Sequence, residues 1–148
     1  MSQQILVPID GSASARKALE HACLIQRATQ AGIHLLHVPE VPVAKDSLGA
    51  MVGASPVDYT PEKGHLEGEH LLKEAWQAVA GDAGEVTYHV VEGRPAQTIV
   101  QQATDLGVDM IIMGSRGLSD LKSLVVGSVS HKVSHIAPCP VITLHVPD

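Results

Sequence analysis

The chain has 148 residues, 45% of them hydrophobic, and a formal net charge of −6 with histidine neutral. That length suits one domain, read here as residues 1–148, with a core that needs no metal or disulfide staple. The acidic balance, the lack of a Lys/Arg cluster and the scarcity of aromatics (no Phe, two Tyr, one Trp) argue against a nucleic-acid partner.

The first residues, Met-Ser-Gln-Gln, lead into an apolar run too short for a secretory leader, and no segment is long enough to span a bilayer. Cys23 and Cys139 form neither a CxxC pair nor a disulfide framework. A cytoplasmic protein without membrane insertion is expected.

Ile5–Ile9 is a continuous apolar run and predicts a buried strand, with Pro8, which has no N–H, at its exit. Ser12 or Ser14 can cap the helix that follows, whose Ala15, Ala18, Leu19 and Ala22 fall on one face; Gly32 is expected to end it. Ile33–Val38 predicts a second strand. Residues 39–59 show no period and are rich in Pro, Gly and Ala, which predicts a long loop ordered by a ligand or partner, if at all.

Thr60-Pro61 is a cap followed by proline at the first helical position, and the helix it opens shares Leu72, Ala75, Trp76 and Val79 on one face. Glu85–Val91 alternates as an edge strand does. Pro95 opens a third helix carrying Ala96, Ile99, Val100 and Ala103, and Val108–Met113 predicts a central strand. A Gly/Ser segment, 114–127, leads into a helix with Val126, Val129, Val133 and Ile136 on one side. Pro138 and Pro140 stop it, and Val141–Val146 is the last strand.

Strands alternating with helices predict an α/β fold: a three-layer, doubly wound, Rossmann-like sheet of five mainly parallel strands flanked by helices. Ligands of such sheets bind beyond the carboxyl ends of the strands, where the strand order reverses. If the first strand is central, Asp10-Gly11-Ser12 at its exit lies beside the exit of the fourth strand, at Gly114.

Gly114-Ser-Arg-Gly117, nine residues, then Gly127-Ser128 is the sharpest motif. Glycines after a strand let backbone N–H groups reach phosphate oxygens, and Ser128 stands where the next helix begins. The plain alternative is a long turn that needs glycine. No P-loop and no G-x-G-x-x-G after the first strand is present, which disfavours a P-loop NTPase or a dinucleotide dehydrogenase.

G-x2-G-x9-G-[ST] after a fourth strand resembles the ATP-binding signature of the universal stress protein family. Ile-Leu-Val-Pro-Ile-Asp-Gly-Ser at the start and Ala-Pro-Cys-Pro-Val-Ile near the end resemble that family's first strand and its approach to the last, so the likeness spans the chain. The resemblance implies an adenine-nucleotide alpha hydrolase-like fold and an ATP site, with Mg²⁺ accompanying the triphosphate. Asp10 and the backbone at Val38 would hold base and ribose, between Pro8 and Met113 as apolar walls. Gly114, Arg116, Gly117, Gly127, Ser128, Val129 and Ser130 would line the phosphates, and the Arg116 guanidinium suits a phosphate oxygen. The family's habit of pairing through its last strand implies a homodimer through Val141 to Val146.

Simpler readings stand beside these. Asp10 and Ser12 also suit a bare turn and cap. His131 and His135 share a helical face, but Lys132 replaces the Glu of a zinc-protease motif, and a metal site is not expected. Cys139 reads as a small packed residue. Ser119, Asp120 and Lys122 read as a solvated turn. No Ser-His-Asp or Cys-His arrangement can be placed, so the expectation is an ATP-binding regulator of an unidentified protein partner and not an enzyme. A slow ATPase or phosphotransferase, a stress-protective dimer, and a preference for AMP or ADP over ATP all remain open at this stage.

Overall fold

The computed structural model describes residues 3–39, 60–80, 84–116 and 127–147. The expected 39–59 loop (beyond Pro39), Gly117, Ser119, Asp120, Lys122 and Val126 lie outside them.

Strand β1 (Gln4–Pro8) carries Ile5, Leu6 and Val7 without any exposed surface, which is why its run is apolar on both faces. Pro8 is its last residue, as expected of a residue with no N–H, and Ile9 resumes pairing by donating to Leu36 O at 2.8 Å. Helix α1 (Ala13–Thr29) takes Ser12 as its cap, whose Oγ accepts from Ala15 N at 3.2 Å. It ends at Gln30, in the left-handed region at φ 60, and not at Gly32. Gly32 instead opens β2 (Gly32–His37), where a Cβ would stand 2.7 Å from Gln4 Oε1. Its lack of a side chain therefore serves strand packing and not the helix stop.

Helix α2 (Pro61–Val79) starts on Thr60, whose Oγ1 accepts from Lys63 N at 3.1 Å, with Pro61 in the first turn. Its fully inward stripe is Gly64, Gly68, Leu72 and Trp76, with Ala75 and Val79 at the margin. The sequence reading found the large half of that stripe and passed over the small half. A Cβ on Gly68 would meet Val90 Cγ1 at 2.8 Å, so the helix start lies close upon the sheet.

β3 (Val86–Val90), α3 (Pro95–Leu106), β4 (Met110–Gly114), α4 (Ser128–Ile136) and β5 (Val141–Leu144) complete the order. The strands lie as β3-β2-β1-β4-β5 and every pairing is parallel. β1 is thus central, β4 interior, and β3 and β5 the outer strands of the described sheet. α1 and α2 bury Ile5, Val7, Ile33, Leu35 and Ile112 on one face. On the other face Ile99 and Ala103 of α3 and Val133 of α4 close over Leu6, Leu36, Ile111 and Met113.

The expected inward position of Ile136 is not observed: it is 55% exposed. The helix stops there, Ala137 turns extended, and Ala137 and Cys139 pack against the core beneath the last turn in its stead.

Candidate functional site

The strand order reverses between β1 and β4, and a cavity of about 370 Å³ opens there at their carboxyl ends. Pro8 and Asp10 line it from the exit of β1, and Val38 from the exit of β2. Met113, Gly114 and Arg116 come from β4 and its exit, and Gly127, Ser128, Val129 and Ser130 from the start of α4. Residues singled out from four separate stretches of sequence thus share one wall. Gly117, outside the described residues, is the exception.

The start of α4 lines the cavity with a helix end that no side chain caps. Gly127 is its cap position, with extended backbone (φ −62, ψ 152) and no side chain to accept from the first turn, and that turn holds no acidic residue. The first N–H groups of a helix have no acceptor within it and carry its positive dipole end, so the start of α4 has the chemistry of an anion site.

Around this opening the polar groups are committed to holding the turn. Ser130 is 2% exposed, and its hydroxyl donates to Ser115 O (2.8 Å) and Gly127 O (3.0 Å). Gly127 N donates to the same Ser115 carbonyl at 2.7 Å, and Ser115 N donates to Leu144 O at 2.8 Å. Ser14 Oγ, one residue into α1, donates to Arg116 O at 2.5 Å. The Ser130 hydroxyl is therefore a positioning group for the helix start, which the motif alone did not indicate.

Gly114 also has a packing duty. A Cβ there would sit 2.7 Å from the carbonyl carbon of Ser14 and 2.8 Å from Ala15 N. Only glycine lets the exit of β4 pass that close to α1. Asp10 Oδ1 accepts from Ser12 N at 2.9 Å, closing the turn between β1 and α1. The turn reading of Asp10 is thus realised, while the same residue lines the cavity.

Five further lining residues were not foreseen, Ile9, Ala15, His37, Pro95 and Ile99, and a sixth, Ser12, belongs to the Asp10-Gly11-Ser12 turn already expected beside Gly114. Pro95 and Ile99 belong to α3, whose proline at the first turn was visible in the sequence but whose proximity to β1 was not. His37 is half-buried beside Ile9 O, 2.9 Å from its Nδ1.

Among the described residues no group of three or more His, Cys, Asp or Glu side chains could hold a metal ion. His131 and His135 meet edge to face at 4.5 Å, and His65 and His70 pair with Glu69 and Glu74 on the exposed side of α2. Burial pushes both thiols up, Cys139 with help from the Asp109 carboxylate, so neither is an activated nucleophile. Among the described residues no helix is long and apolar enough to cross a membrane.

The sequence profile of the universal stress protein family matches residues 1–145. The chain belongs to the universal stress protein family. Among its relatives, universal stress protein YxiE of Bacillus subtilis is 37% identical over 145 residues, 96% of this chain and 98% of that one. Protein MJ0577 of Methanocaldococcus jannaschii superposes with a TM-score of 0.79 at 28% identity, covering 100% of this chain and 99% of that one. A universal stress protein of Arabidopsis thaliana, solved with AMP bound, has a TM-score of 0.68 at 22% identity over 98% of this chain and 92% of that one, and shares the fold.

Proposed function

We propose that residues 1–148 form one nucleotide-binding unit, an ATP-binding regulatory stress-response protein whose nucleotide state modulates a protein partner. The observation that supports this most is the uncapped start of α4, Gly127–Ser130, which lines the same cavity as Asp10 at the β1/β4 switch point. The phosphates would lie on the N–H groups of Ser128, Val129 and Ser130, with Arg116 and Gly117 on the glycine turn. Pro8, Val38 and Met113 supply apolar surface for the base, and the Val38 backbone its polar edge. Asp10, through a carboxylate held in place by Ser12 N, suits ribose hydroxyls.

Mg²⁺ fits the donor set, since it is commonly held by one or two carboxylates together with phosphate oxygens and water. Asp10 is the one carboxylate among the described lining residues, and with it on the ribose the ion would be held by phosphate oxygens and water. The homodimer belongs to the same reading. β5 is an outer strand of the described sheet, shorter than the expected Val141 to Val146 because it ends at Leu144, and Ile142 on it is 37% exposed, which favours pairing of two copies along it.

Calorimetric titration of the nucleotide-stripped protein with ATP and Mg²⁺, followed by recovery of the nucleotide, tests the site. Saturable binding with ATP recovered intact is expected. Recovery of ADP would replace the regulator by a slow ATPase, and no binding to ATP, ADP or AMP would overturn the reading. Sedimentation at micromolar concentration tests the dimer, which a monomer would refute.

A further inference from the structure

Away from the cavity, on the sheet face that α3 and α4 cover, three polar side chains form a chain across three strands. His34 of β2 is in register with Leu6, and His89 of β3 with Leu36, so both project from the face to which those core leucines belong. Both rings are half-buried. They stack with centroids 5.2 Å apart and planes 30° apart, and His34 Nδ1 lies 3.0 Å from His89 Nε2. On its other side His34 Nε2 lies 2.8 Å from Gln4 Oε1. Gln4 is itself anchored: its N–H donates to Asp109 Oδ2 at 2.7 Å, and Gly32 leaves the room its side chain occupies.

This geometry fixes where the hydrogens sit. Gln4 Oε1 only accepts, so His34 Nε2 carries a hydrogen, and neutral His34 then accepts at Nδ1. The hydrogen between the rings accordingly belongs to His89 Nε2. One further proton fits on His89 Nδ1 without breaking the bond between the rings. A second has only His34 Nδ1 to go to, where it would set N–H against N–H at 3.0 Å.

We propose that the His34–His89 pair is an acid-sensitive latch on the outer strand β3, which accommodates one added proton and releases the β2–β3 seam when it takes the second. Burial disfavours the charged form of both rings, and the positive charge of His34 disfavours that of His89 further; Glu85, just before β3, opposes the shift at His34. Gln4 is neutral, Asp109 is bound to the Gln4 N–H, and no charged side chain of α3 moves either ring. Both rings therefore titrate below the ordinary histidine value in the folded chain. The stability they confer is complete above about pH 6.5, the unfolded value, and is lost as pH falls through the lower folded values.

Histidine-selective NMR of the whole protein, with amide exchange read at Val86–Val90 and corrected for intrinsic rates, tests the latch between about pH 7.5 and about pH 5. Two coupled ring titrations below the ordinary range are expected, with β3 protection falling about tenfold or more over the second step while β1 is unaffected. His89→Gln keeps a donor toward His34 but removes the second titrating ring, and its β3 protection is expected to be independent of pH in this window. Independent titration of both rings at the ordinary value, or the same acid loss in His89→Gln, would overturn the proposal. If that variant fails to fold, the titration of the unmodified protein decides alone.

Discussion

Three helices begin at the rim of one cavity, and they begin differently. α1 closes its own start: Ser12 accepts from Ala15 N, and Asp10 in turn accepts from Ser12 N. α3 blunts its start with Pro95, which removes one of the donors a helix leaves over. α4 does neither, for Gly127 has no side chain to turn inward and the first turn carries no acid. A self-capped start contributes to stability whether or not anything is bound, and an uncapped one leaves its donors to be satisfied by water or a ligand. The contrast between the α1 and α4 starts is the clearest local difference between scaffold and site in this molecule.

The contrast can be broken most forcefully by giving α4 the cap that α1 has. Gly127→Asp places a carboxylate where phosphate would lie, and its φ of −62 is open to any residue. We expect a loss of nucleotide affinity of about 100-fold, worth about 2.7 kcal/mol, in calorimetry, with an unchanged or slightly raised Tm. Unchanged affinity would remove the α4 start from the site.

Gly114→Ala drives a Cβ into the Ser14 hydroxyl, which is held on Arg116 O, and into the backbone of Ser14 and Ala15, and is expected to cost about 2 kcal/mol in denaturant unfolding, since that backbone cannot swing away. Ser12→Ala removes the α1 cap and is expected to cost about 1 kcal/mol of stability with little change in nucleotide affinity. The smallest stability effect belongs to Asp10→Asn, which keeps an acceptor for Ser12 N. Its Tm is expected to hold while affinity falls about fivefold, or about 1 kcal/mol. A fall in Tm without a fall in affinity would return Asp10 to the turn alone.

Much of this was legible because it is written locally. The buried run Ile5–Val7, the Thr60-Pro61 start of α2 and the glycine–serine start of α4 each depend on residues adjacent in the chain. Positions that escaped are those whose reason lies across space. Gly32 looked like a helix stop because glycine commonly is one, but its partner is Gln4, twenty-eight positions away in sequence and next to it in register. Gly64 and Gly68 gave no apolar signal, yet both are buried, and Gly68 sets how closely α2 approaches Val90 of β3. Ile136 kept the helical period and still faces outward, because periodicity marks a face and not whether anything remains to cover its last turn. Within the site, the sequence pointed to the lining of α4 but not to the duties of the Ser14 and Ser130 hydroxyls, which tie the ends of β4 and α4 to carbonyls from other segments.

One residue in that tie reaches further than the cavity. Ser115 receives both Gly127 N and the Ser130 hydroxyl on its carbonyl, and through its own N–H it holds Leu144 O of β5. The start of α4 and the outer strand β5 are thus joined through the backbone of one residue. A substitution that displaces Ser115 would therefore disturb the helix start and the rim of the sheet together.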